Sequence, residues 1–225
     1  MFRSFLLTAC ASVALTLASA AQATTFAWDT LTGATIGTGE VANIFGGATP
    51  VSTALVFQAG ASGRVTAIDL ALSLRALSEP GGAEFAVFTD GGAAPGTRLG
   101  NALGVTATSA PFMPDILSLT GWSGVTLTAG QTYWLVGTAA GRDDRVLWFA
   151  ATPDIGGLRR FSTDGGTSWS APLARIVPAA RITVEATAVP LPATLPLALG
   201  GLAVLAALGR RRRTRPMAGA PSNRA

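Results

Sequence analysis

Between Thr24 and Ala188 turn residues recur so often that no stretch sustains helical spacing, which confines this part of the chain to short strands. Glu79-Pro80-Gly81-Gly82, Asp90-Gly91-Gly92, Ala94-Pro95-Gly96, Ala129-Gly130 and Asp164-Gly165-Gly166 supply the punctuation. The β-rich runs between such breaks predict strands over 64–74, 84–89, 116–120, 124–128, 131–138, 146–151 and 180–187. Many short strands with regular breaks imply an all-β fold, a single β-sandwich of jelly-roll or immunoglobulin-like type over residues 24–188. Phe85, Phe88, Trp134, Trp148 and Phe149 fall inside the runs and are expected in the core. Trp28, Trp122 and Trp169 sit beside turn signals, where exposure is expected; they are the candidate carbohydrate-binding aromatics.

The two ends read differently. Arg3 is followed by an apolar run from Phe5 to Leu17 and then by Ala18-Ser19-Ala20 and Ala21-Gln22-Ala23. This is the charge, apolar run and small-residue pattern of a signal peptide over residues 1–23, cleaved after Ala23 or Ala20. Leu7-Thr8-Ala9-Cys10 offers a rival, lipidation of Cys10, but the apolar run before it is short and the run continues well past it. At the other end no charge occurs from Leu191 to Leu208. As a helix this stretch is about 27 Å long, close to the hydrocarbon thickness of a bilayer. Arg210, Arg211, Arg212 and Arg213 follow almost at once. Adjacent guanidiniums resist translocation, so they serve as a membrane stop and stay cytoplasmic while the domain is exported. Residues 214–225 are expected to form a disordered cytoplasmic tail.

Charge distribution narrows the choice of partner. All sixteen basic residues are arginine. Nine of them share residues 24–188 with all twelve acids, giving that segment a net charge of −3. The high isoelectric point therefore belongs to the ends, and a mildly acidic domain is no nucleic-acid binder. The single cysteine, Cys10, lies in the signal, so the mature domain has neither thiol nor disulfide.

Val189-Pro190-Leu191-Pro192-Ala193, then the apolar segment, then the arginine cluster resembles the VPLPA-CTERM sorting domain, a variant of the PEP-CTERM family of exported bacterial proteins. The resemblance spans residues 189–213. It implies that Val189, Pro190, Leu191, Pro192 and Ala193 form a recognition motif for an exosortase-like processing enzyme. It also implies anchoring in the inner membrane with the domain in the periplasm, then release to the cell surface or the exopolysaccharide matrix. The stretch Thr214–Ala225 departs from the pattern, since such tails stop soon after the arginines. Two segments, 88–100 (FTDGGAAPGTRLG) and 127–136 (LTAGQTYWLV), resemble the choice-of-anchor R type of extracellular β domain. That likeness implies a β-sandwich and export.

Several local motifs bear on chemistry. Ser162-Thr163-Asp164-Gly165-Gly166-Thr167-Ser168-Trp169 is similar to an Asp-box, with Ser168 in place of threonine. The expectation is a structural hairpin turn in which Asp164 accepts backbone N–H groups and Trp169 packs beneath. Asp143-Asp144 lies between Arg142 and Arg145 without the spacing of a calcium loop, and a solvated loop is expected. Asp90 and Asp154 read as turn residues. The mature chain has no His, Cys or Lys, which excludes Ser-His-Asp and Cys-His catalysis, His-ligated zinc and Schiff-base chemistry. No cofactor or metal is implied. The expectation is a non-enzymatic surface or matrix protein, with carbohydrate contact through exposed aromatics. The alternatives are a carboxylate-dependent glycan hydrolase and a purely structural spacer.

Overall fold

The computed structural model describes residues 24–152, 158–174 and 177–186. The chain divides into two compact units, Met1–Thr187 and Ala188–Ala225, and every described residue belongs to the first. The signal segment with Cys10 and Ala23, Asp154, the motif Val189–Ala193, the apolar tail, Arg210–Arg213 and the last twelve residues lie outside the described residues. Among the described residues no helix is long and apolar enough to cross a membrane.

Among the described residues thirteen strands form in chain order. They are β1 (Thr24–Asp29), β2 (Thr35–Phe45), β3 (Ser52–Gln58), β4 (Gly63–Leu74), β5 (Gly82–Asp90), β6 (Pro95–Thr106) and β7 (Asp115–Thr120). There follow β8 (Thr126–Leu127), β9 (Thr132–Ala139), β10 (Arg145–Thr152), β11 (Leu158–Ser162), β12 (Leu173–Ala174) and β13 (Ala180–Ala186). They make two antiparallel sheets, and the described residues contain no helix. The second sheet runs β12-β11-β3-β9-β5-β6. The first is organised around β4. Its residues Ile68–Leu70 pair with both β13 and β7, and Leu72 pairs with both β10 and β7. One flank of β4 is therefore shared by β13, which carries β1, and by β10, which carries β2; the other flank takes β7.

Side chains alternate across each strand, so one residue set from each sheet meets between them. Ile44, Leu70, Leu72, Trp148 and Ile182 from the first sheet pack with Leu55, Phe57, Phe85 and Leu135 from the second. Phe85 and Trp148 meet edge to face at 5.2 Å, and Trp148 donates its indole N–H to Ala179 O at 2.9 Å. Burial of each such ring stabilises the fold by roughly 2–3 kcal/mol. Smaller apolar clusters cover the outer faces. Leu31, Leu147 and Phe149 lie outside the first sheet, and Trp134, Val136 and Ala54 outside the second.

Both ends of the described sandwich meet at one end of the first sheet, where Thr24 pairs with Glu185 and Ala186 pairs with Gly63. At the opposite end the loops fasten to one another. Ala107 N–H donates to Gly81 O, Arg145 N–H to Pro80 O and Gly46 N–H to Asp144 O, at 2.8–2.9 Å. Asp144 is buried among them, while Asp143 is exposed. The expected solvated loop is thus correct for Asp143 and wrong for Asp144, whose carboxylate satisfies a neighbouring backbone.

Candidate functional site

The outer face of the second sheet combines charge, hydroxyls and aromatic surface. Its strand register aligns one cross-strand row, Arg98–Phe88–Trp134–Val56, across four strands. The next row is Ala86–Val136–Ala54–Arg160. Trp134 is 1% exposed and forms a floor, with half-buried Phe88, Val56 and Trp169 packed around it.

Two clefts open on this face. One, of about 230 Å³, is lined by Asp90, Ala93, Thr132, Trp134, Val56 and Arg160. The other, of about 160 Å³, is lined by Glu84, Phe88, Arg98, Val136 and Thr138. Each sets one carboxylate and one guanidinium around an apolar floor, and no ion pair joins either couple. A larger cavity of about 350 Å³ lies at the seam between β2 and β11, lined by Ala42, Val51, Thr53 and Phe161 among others, without a carboxylate.

The first cleft is held by a tight hairpin. Gly91 N–H donates to Ala94 O at 2.8 Å, and Gly92 and Ala93 between them have φ of 89° and 76°. Positive φ at both central residues is the turn that suits the twist of a two-residue hairpin. Ala93 is a non-glycine residue in this region, a conformation usually left to glycine or asparagine. Asp90 Oδ1 fixes the hairpin by accepting from Ala93 N–H at 3.1 Å and from Trp134 Nε1–H at 2.9 Å. Among the described residues its Oδ2 has no hydrogen-bond partner. Asp90 is thus a turn residue, as expected, with the further task of orienting an indole. Across the cleft Arg160 donates from one terminal nitrogen to Ser170 O, while its Nε–H is enclosed without an acceptor.

The Asp-box forms the expected turn between β11 and β12. Ser162 Oγ–H donates to Asp164 Oδ1 at 2.6 Å, and Ser168 donates to the same carboxylate through N–H at 2.9 Å and Oγ–H at 2.5 Å. These donors hold the Asp164 carboxyl well below the usual carboxylate range, Ser162 contributing most and Ser168 next. Gly165 and Gly166 take φ of 72° and 94°, and Trp169 reaches the Trp134 cluster.

The remaining tryptophans fall elsewhere. Trp122 is 5% exposed, part of the core between the sheets, with its indole N–H donated to Leu119 O at 3.0 Å. The backbone after Gly121 folds it inward, so the expected exposure is corrected. Trp28 is half-buried against that core, 6.0 Å from Phe57. Of the three candidate aromatics only Trp169 borders the charged face. Phe149 and Trp134 are buried as expected, although outside rather than between the sheets. Phe88 is only half-buried, on the outer face. Sequence reading missed Glu84, Arg98 and Arg160, because only strand pairing brings them beside an opposite charge.

On the first sheet Arg181 reaches both Asp29, at 3.4 Å, and Asp69, at 3.8 Å. Burial pushes the Asp29 carboxyl up, but donation from Thr32 and Leu31, together with Arg181, outweighs it and leaves it below its ordinary range. Among the described residues no three His, Cys, Asp or Glu side chains gather as a metal would require. No protein-family model matches the chain, and no curated protein is significantly similar to it.

Proposed function

We propose that this is an exported bacterial surface or extracellular-matrix protein, non-enzymatic, whose single jelly-roll- or immunoglobulin-like sandwich contacts carbohydrate. It is held in the inner membrane by its tail and sorted by an exosortase-like enzyme. The observation that carries the reading is the uncharged stretch Leu191–Leu208, preceded by Val189–Ala193 and closed by Arg210–Arg213. The N-terminal signal exports the domain and is cleaved after Ala23 or Ala20; the domain ends in the periplasm and then, after processing, at the surface or in the exopolysaccharide.

Two facts support a non-enzymatic role. Residues 24–225 offer no His, Cys or Lys as base or nucleophile. Among the described residues, the carboxyls of Asp29 and Asp164 are shifted downward, opposite to the shift a glycosidase's general acid needs. The aromatic and charged outer face of the second sheet supports carbohydrate contact.

Cell fractionation with mass-spectrometric mapping of both termini tests the address. The expected result is a membrane or surface fraction with a new N-terminus after Ala23 or Ala20 and, in a host with the processing enzyme, a new C-terminus near Val189. Recovery of a soluble cytoplasmic species with both ends intact would overturn it.

A further inference from the structure

We propose that the two clefts on the outer face of the second sheet are adjacent subsites for an uncharged, hydroxyl-rich polysaccharide segment. The inference rests on the carbohydrate reading above and specifies where the polymer lies and what charge it carries.

The clefts repeat one chemical arrangement. Asp90 and Arg160 line the first, and Glu84 and Arg98 line the second. Each couple offers one acceptor and one donor with no net charge. A hydroxyl both donates and accepts, so neighbouring hydroxyls on one ring satisfy both partners, whereas a polyanion or polycation would meet one repelling charge in every cleft. Thr132 and Thr138 add a hydroxyl to each. The floors are apolar: half-buried Val56 over the buried Trp134 in one, half-buried Phe88 beside the buried Val136 in the other. A pyranose presents such a floor with the C–H face of its ring.

The polar groups are available. Glu84 and Arg98 are exposed and have no ion-pair partner among the described residues, where the hydrogen bonds to Asp90, from Ala93 and Trp134, both fall on Oδ1. Arg160 lines the first cleft, with one terminal nitrogen on Ser170 O.

Spacing suits a polymer. Thr132 and Trp134 line the first cleft and Val136 and Thr138 the second, so their midpoints on β9 are roughly 13 Å apart, and with the clefts on opposite sides of that strand their centres are roughly 15 Å apart. Phe88 pairs with Trp134 across the ridge between them. One chain of a few sugar units can therefore fill both, and the second contact becomes intramolecular.

The test is calorimetric titration of the full-length chain in detergent micelles. The probes are glucose, galactose and mannose, the neutral tetrasaccharide of each, alginate as polyanion and chitosan as polycation. A neutral tetrasaccharide is expected to bind at least about tenfold tighter than its monosaccharide. Glu84→Gln and Arg98→Gln are each expected to weaken that tetrasaccharide about threefold, and the double variant about tenfold, to the monosaccharide level. Both side chains are exposed, so unfolding temperature should not move. Asp90→Asn, which keeps an acceptor for Trp134, tests the other cleft with the same expected loss. Tighter binding of alginate or chitosan overturns the charge assignment. Tetrasaccharide binding that all three substitutions leave untouched overturns this site while the carbohydrate reading stands. Binding of no probe overturns both.

Discussion

Asp144 Oδ1 accepts the backbone N–H of Gly82 at 2.7 Å, tying the loop before β10 to the first residue of β5. The same residue's carbonyl takes Gly46 N–H, so one buried aspartate serves three chain segments at the end of the sandwich away from its termini. Asp144→Ala would leave the Gly82 N–H without an acceptor. The expected cost is about 2 kcal/mol, read as a lower urea midpoint at unchanged slope. Asp144→Asn keeps an oxygen in place and should recover about half of that. Equal midpoints for wild type and Asp144→Ala would show that the fastening carries no weight.

Gly137 marks a close contact between the two sheets. A Cβ there would lie 2.6 Å from Ile44 Cδ1 and 2.8 Å from Phe85 Cε1, one from each sheet. Phe85 in turn packs on Trp148, so its ring has little room to withdraw. Gly137→Ala is predicted to destabilise by about 1–3 kcal/mol through overpacking, even though alanine is the better strand residue. Pairing it with Ile44→Val should return part of the loss, because the shorter side chain vacates the clash. A double variant no more stable than the single one would place the strain elsewhere.

Sequence patterning revealed the strands that alternate and concealed those that do not. The runs expected at 64–74, 84–89, 116–120, 131–138, 146–151 and 180–187 reappear as β4, β5, β7, β9, β10 and β13 with ends shifted by one or two residues. The run at 124–128 shrinks to Thr126–Leu127, since Val125 is drawn into the core as part of the connection. Ala94-Pro95-Gly96, expected as a turn, instead begins β6 at Pro95; the turn lies one step earlier, around Gly92 and Ala93. β6 and β2 are glycine-bearing and lack a continuous apolar alternation, and β11 is five residues long, so nothing local separates them from loop, whereas β1 and β3 are as long as β7 and β13 and were open to the same reading. The Asp-box was legible because all its donors come from within eight residues. The Glu84–Arg98 and Asp90–Arg160 couples were not, because their proximity depends on which strands pair.

Phe112 occupies a place in a turn that favours a different residue. Met113 N–H donates to Ala110 O at 3.0 Å, Pro111 holds the first central position and Phe112, with φ of 59°, the second. A turn of this kind suits glycine or asparagine there, since a side chain with a Cβ is crowded at positive φ. The ring is 61% exposed and so gains little from packing. Phe112→Asn is therefore expected to raise stability by about 0.5–1 kcal/mol, seen as a higher unfolding temperature. A lower temperature would mean that the exposed ring is held by contacts beyond its own turn.

Asp164 gives the fold a dependence on acid. Its carboxylate accepts hydrogen bonds from Ser162 and Ser168, so its folded-state pKa lies below the unfolded value. The native turn then binds fewer protons than the unfolded chain, and stability rises with pH through the interval between the two values. The contribution is complete above the unfolded carboxyl pKa, about 4, and is lost as pH falls through the lower folded one. Asp164→Asn removes the charge, while leaving Asp29, the other depressed carboxyl, in place. The gap in unfolding temperature between wild type and Asp164→Asn should be constant from pH 7 down to about pH 5 and should narrow steadily below about pH 4. Ser168→Ala, which deletes one donor, should shrink the gap and move its narrowing to higher pH, toward the ordinary carboxyl value. A gap that persists unchanged to pH 2 would mean that the turn is held by its glycines and backbone rather than by the aspartate's charge.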